Sequence, residues 1–132
     1  MLSPFEKHRE ILLNGKYSAA GSLQQFVLSL FNAHVKFEAH RLGNYDSTHM
    51  GIFVELASSY HKHRQSDPAF MQICLDMWDL RRKWGREHLE CLEQHKQISP
   101  EAYEGGEQSW YAQMRWLDEY TETCRAKHWI DL

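Results

Sequence analysis

His88, Cys91 and His95 are the residues of this chain whose types and spacing come nearest to chemistry. Their i, i+3, i+7 spacing sets all three on one side of an α-helix. Imidazole nitrogen and thiolate sulfur are ligands for zinc or another transition metal such as copper or iron. Three ligands leave one coordination position open, the pattern of a metal site that does chemistry. A metal- or haem-binding helical protein is therefore one reading of the sequence. A structural reading competes with it. Continuing the stripe Phe70, Ile73, Met77, Leu80 and Trp84 of the same helix lands on the same three positions, and a buried cysteine packs as a small hydrophobe. Cys124 and His128 repeat the Cys-x-x-x-His spacing in the last helix but do not complete a four-ligand set. An antiparallel partner helix brings residues 107–111 to the level of Cys91–His95, and Cys124 then lies roughly 20–25 Å further along at 1.5 Å per residue.

Other routes to catalysis have less behind them. There is no Gly-rich phosphate loop, no Gly-x-Ser-x-Gly, and no Glu-x-x-His of the kind a carboxylate-bridged di-iron bundle uses. No catalytic residue is assigned, and binding rather than catalysis is the expectation. Arg81, Arg82, Lys83 and Arg86 form a basic knot around Trp84. Its helix is too long for an ordinary recognition helix and the chain is not basic, so a nucleic-acid-binding accessory protein is the disfavoured third reading.

Aromatic content points to a surface. Five tryptophans fall in the last two helical blocks, and Trp78 and Trp116 lie off the main apolar stripes there. Trp, Tyr and Arg are the residue types enriched at protein–protein hot spots. Trp78, Arg82, Trp84, Trp116 and Tyr120 are the expected contributors to an interaction surface, used for a protein partner or for self-association as a homodimer.

The elements that must position these residues are read from capping signals. Each proline follows a residue that caps helices: Ser3-Pro4, Asp67-Pro68 and Ser99-Pro100. Ser3 and Glu6 have capping-box spacing, and the helix they open is expected to end at a left-handed Gly15. A second helix is predicted over residues 22–42 from the stripe Leu23, Phe26, Val27, Leu30, Phe31, His34 and Phe37. A third starts at Asp46 or Ser47, with Ile52, Phe53, Leu56, Ala57 and Tyr60 facing inward. A fourth spans residues 68–96, with a bend allowed at Gly85. The last spans residues 107–128. These predict an all-α fold: one domain over residues 1–132, an antiparallel bundle of four long helices plus a short N-terminal one.

A length of 132 residues suits one domain, and 42% hydrophobic content suits a globular one. The net charge of −3 gives no bulk attraction to nucleic acid or membrane, and no run of 18 apolar residues exists to span one. Three cysteines without framework spacing read as reduced thiols of a cytoplasmic protein.

Two short stretches, Leu30-Phe31-Asn32-Ala33 and Gly43-Asn44-Tyr45-Asp46-Ser47-Thr48, carry a resemblance. Residues 26–66, about a third of the chain, resemble an uncharacterised helical domain family of proteobacterial mobile elements. In that family an apolar helix ends in an aromatic-Asn-Ala step, and a glycine, an aromatic and Asp-x-Thr start the next helix. The family's usual tryptophan is Phe31 here. The resemblance implies a bacterial, cytoplasmic accessory protein and no mechanism. Together these readings predict a small cytoplasmic interaction or regulatory protein acting by protein–protein binding.

Overall fold

The computed structural model describes residues 2–130. Six α-helices follow one another: α1 (Pro4–Lys7), α2 (Arg9–Asn14), α3 (Ser18–Phe31), α4 (Ser47–His63), α5 (Pro68–Lys96) and α6 (Glu107–Ala126). Short 3-10 turns cover Ala39–Asn44, Arg64–Ser66 and Pro100–Ala102, and the described residues contain no strand. The chain is all-α. It divides into two compact units, residues 1–79 and residues 80–132, and the boundary falls inside α5.

In the first unit the caps tie the start of the chain to the start of α5. The Ser3 hydroxyl donates to Asp67 Oδ2 at 2.6 Å, and its oxygen accepts from Phe5 N–H at 3.3 Å. Asp67 Oδ1 accepts from Ala69 N–H at 2.9 Å. The Ser3 side chain thus serves Phe5 and Asp67, where the sequence predicted a capping box with Glu6. Phe5, Leu12, Leu23, Val27, Leu28, Ile52, Leu56, Phe70, Ile73, Cys74 and Met77 make the core. Phe5 meets Phe70 edge-on at 4.9 Å, and Tyr60 meets Phe70 at 5.1 Å.

Three expectations are corrected here. The first helix breaks at His8 into α1 and α2. Gly15 is extended (φ −63, ψ 132), not left-handed. It is glycine because a Cβ there would stand 2.6 Å from Ala20 Cβ and 2.7 Å from the Ile11 carbonyl oxygen, where α2 closes on α3. The second helix ends at Phe31, eleven residues short. Asn32 turns extended, and its side-chain oxygen accepts from His34 N–H at 2.9 Å, a local bond that competes with helix continuation. Phe37 still reaches the aromatic cluster, 5.3 Å from Phe26 and 6.1 Å from Phe53, but it arrives from a loop.

In the second unit α6 runs antiparallel to residues 80–96 of α5. His88 bonds Thr121 and Leu117, and His95 bonds Trp110, so rising numbers on α5 meet falling numbers on α6. His95 and Trp110 close the end of α5 together. Trp110 Nε1–H donates to the carbonyls of Ile98 (2.8 Å), just past the helix, and His95 (3.3 Å), which also accepts from Ile98 N–H. At the far end α6 stops in a Schellman motif. His128 takes φ 61, Trp129 N–H donates to the Cys124 carbonyl and His128 N–H to that of Arg125. This turn lays Trp129 and Ile130 against Gly85.

Candidate functional site

Below Met77 the buried face of α5 runs through Arg81, Gly85, His88, Leu92 and His95. The predicted stripe through Leu80, Trp84 and Cys91 lies one residue out of phase. Gly85 is part of the buried face. A Cβ there would come within 2.5 Å of the Trp129 carbonyl oxygen and 2.7 Å of Ile130 Cγ2, so only glycine leaves room for the segment after α6 at this position.

His88 and His95 are therefore buried, while Cys91 is exposed. His88 Nε2 lies 2.8 Å from Thr121 Oγ1 and 3.1 Å from the Leu117 carbonyl oxygen. Thr121 donates its own hydroxyl to that carbonyl at 2.8 Å, which leaves its oxygen to accept the imidazole N–H. His95 Nε2 donates to the Trp110 carbonyl at 3.0 Å, with its ring stacked on the indole at 4.9 Å. Seven residues separate the two histidines, roughly 10 Å along the axis at 1.5 Å per residue, and each serves a different level of α6. The structure thus does not bring His88, Cys91 and His95 to a common point. Among the described residues no group of three or more His, Cys, Asp or Glu is placed to hold a metal ion.

The residues expected at an interaction surface fall in three places. Trp78 is half-buried and packs against the core of the first unit. Trp84, 37% exposed, meets Trp129 edge-on at 5.6 Å, with the Arg81 guanidinium 5.4 Å from its ring centre. Arg82 beside it is half-buried. Trp116 and Tyr120, one turn apart on α6, stack at 5.4 Å with their planes 3° from parallel. Trp116 is 54% exposed. The buried His88 ring meets Tyr120 edge-on at 4.8 Å, so the aromatic pair rests on a hydrogen-bonded support. Burial, followed by the neighbouring Cys124, pushes the Tyr120 hydroxyl above its ordinary pKa of 10.0.

The basic knot is split by burial. Arg81 is buried, and desolvation pulls it down to about 10, still charged at neutral pH, whereas Lys83 and Arg86 are exposed. The face of α6 around Trp116 carries the opposite sign through exposed Asp118, Glu119 and Glu122. The sequence places Thr121 on the inward stripe of the last helix, and it is buried there as the partner of His88, while Lys127 was missed. Thr121 stands four residues after Leu117, the spacing at which its hydroxyl reaches that carbonyl. Lys127 lies over Trp129, with Nζ 4.7 Å from its ring centre.

A groove of about 640 Å³ in the first unit is lined by Ser3, Glu55, Lys62, His63 and Asp67 among others. Its carboxylates are engaged: Asp67 by Ser3, and Glu55 by Lys7 at 3.1 Å and His8 at 3.3 Å. None of the residues expected from the sequence to bind a metal or to form an interaction surface lines it. No helix among the described residues is long and apolar enough to cross a membrane. No family model, no curated protein and no solved structure matches this chain.

Proposed function

We propose that this chain is a small interaction protein that acts by protein–protein binding through the aromatic face of α6, and that a second copy of itself is the partner. The Trp116–Tyr120 stack, with Trp116 exposed and Tyr120 half-buried, carries this reading. Large aromatic rings held flat and half in water, on a support that fixes their orientation, lose little entropy when covered and contribute most of the energy of an interface.

Charge supports self-association. The acidic surroundings of Trp116 and Tyr120 on α6 complement the exposed Lys83 and Arg86 of α5. In an isologous pair each copy presents both patches, and an arginine of one copy over the indole of the other adds a cation–π contact. The exposed Trp84 extends the basic patch with a further aromatic. We place this activity in the cytoplasm, where three free thiols persist.

Sedimentation equilibrium tests the reading. The expected result is a dimer of roughly micromolar affinity. Trp116→Ala is expected to weaken it by roughly 2–4 kcal/mol. Glu119→Arg should weaken it as well, and Arg86→Glu in the same chain should restore it. A monomer at all accessible concentrations, or a dimer indifferent to Trp116, overturns self-association through this face.

A further inference from the structure

We propose that Tyr17 is a base-activated nucleophile that accepts an acyl group from an activated ester. Three side chains of the first unit form a relay. Asp46 caps α4, and its Oδ1 accepts from His49 backbone N–H at 2.8 Å and faces His49 Nδ1 at 2.7 Å. His49 Nε2 faces the Tyr17 hydroxyl at 3.0 Å, and the two rings meet edge-on at 5.4 Å. Tyr17 precedes α3 and His49 lies in the first turn of α4, so the relay joins the starts of two helices through residues 32 positions apart.

The proton positions follow from the partners. A carboxylate only accepts, so Nδ1 carries the hydrogen on the Asp46 side. In the neutral ring Nε2 then presents a lone pair, and the tyrosine hydroxyl donates to it. That is the arrangement of an activated nucleophile: a hydroxyl on a base, and the base oriented by a third group. The backbone N–H of His49, then its ring, hold Asp46 below its ordinary value of 3.8, so it stays ionised to receive the imidazolium. Burial differs along the relay in the useful direction. The His49 side chain is mostly covered, while Tyr17 is 49% exposed and open to a reagent.

The reaction is an acyl transfer. Tyr17 Oη bonds to the ester carbonyl carbon while its proton passes to His49 Nε2. The C–O bond to the alcohol portion breaks, and the aryl oxide leaves with the bonding pair. The imidazolium then returns its proton to solvent, leaving O-acyl-tyrosine. No oxidant or further reactant is needed.

p-Nitrophenyl acetate is the probe, with peptide mass spectrometry giving the initial labelling rate at each tyrosine. Tyr111 is the internal reference: it is 53% exposed, and its ring neighbour is Trp110 rather than an imidazole. Tyr17 is expected to label faster than Tyr111 by roughly 10²-fold, the low end of what a positioned general base contributes. His49→Gln should bring Tyr17 to the Tyr111 rate. Asp46→Asn keeps a capping oxygen for α4 and should also lower the Tyr17 rate, so it tests the relay in a chain that still folds. Equal rates at Tyr17 and Tyr111, or an excess that survives both substitutions, overturns the proposal.

Discussion

His88 shows how one buried polar side chain is kept in a helical interface. An imidazole N–H without an acceptor there costs about 1–3 kcal/mol, and Thr121 prevents that cost by turning its own hydroxyl to the Leu117 carbonyl. Thr121→Val removes the shorter of the two acceptors and leaves the Leu117 oxygen at 3.1 Å to take the N–H. The expected loss is therefore near the low end, about 1 kcal/mol, read as a lower urea midpoint with an unchanged slope. No change in midpoint would mean that the carbonyl alone satisfies the ring. The role of His88 was legible in sequence only as a choice between ligand and core residue. Its partners stand 29 and 33 residues away, on a face of α6 that α5 alone does not reveal.

Two glycines separate helix propensity from packing at the scale of an element. Both lie inside helices, where glycine is less favourable than alanine by about 0.8–1.0 kcal/mol. At Gly51 of α4 an added Cβ meets nothing within 4 Å, so Gly51→Ala should stabilise the chain by up to about 1 kcal/mol. At Gly85 the Cβ would stand 2.5 Å from the backbone oxygen of Trp129, which cannot swing aside as a side-chain end can. Gly85→Ala should therefore destabilise by roughly 1–3 kcal/mol despite its better propensity, the range for overpacking. It should also change the fluorescence of Trp84 and Trp129, whose rings meet at 5.6 Å. Thermal melting of the two variants in opposite directions checks both expectations. A stabilised Gly85→Ala would show that the segment after α6 gives way at this position.

At the scale of the molecule, three carboxylates of the first unit set the response to acid. Asp46 is lowered by His49, Glu55 by Lys7 and then His8, and Asp76 by Arg9 and then Gln72. A depressed folded-state value means the unfolded chain binds protons first. The stability from each is present above its ordinary value, 3.8 for the aspartates and 4.5 for Glu55, and is lost as pH falls through the lowered one. Stability should therefore fall between about pH 5 and pH 3. Because Asp46 is exposed and Glu55 and Asp76 are only half-buried, the fall should be shallow and weaker in high salt. Asp76→Asn combined with Glu55→Gln should flatten it further. Urea midpoints across that range check the sign, and a rise on acidification would contradict it.

Three helix starts were legible because they are local, whereas α3 begins four residues before its predicted start and Ser99 makes no side-chain cap bond. Ser3, Asp46 and Asp67 each accept a hydrogen bond from a backbone N–H two or three residues on, a bond that depends on little beyond its own turn. The all-α class and the span of α5 follow from the same caps and from a long apolar period. The level of His95 against Trp110 was legible too, since helix rise and a short connection fix it. Tertiary structure decided the rest. It ended α3 at Phe31, where the periodicity ran on through Phe37, because a ring can join a cluster from a loop as well as from a helix. It turned Cys91 outward and Arg81 inward, on a face that also carries Gly85, where the segment after α6 leaves no room for a Cβ. It also brought Tyr17 to His49 across 32 residues, a pairing that no spacing along the chain encodes.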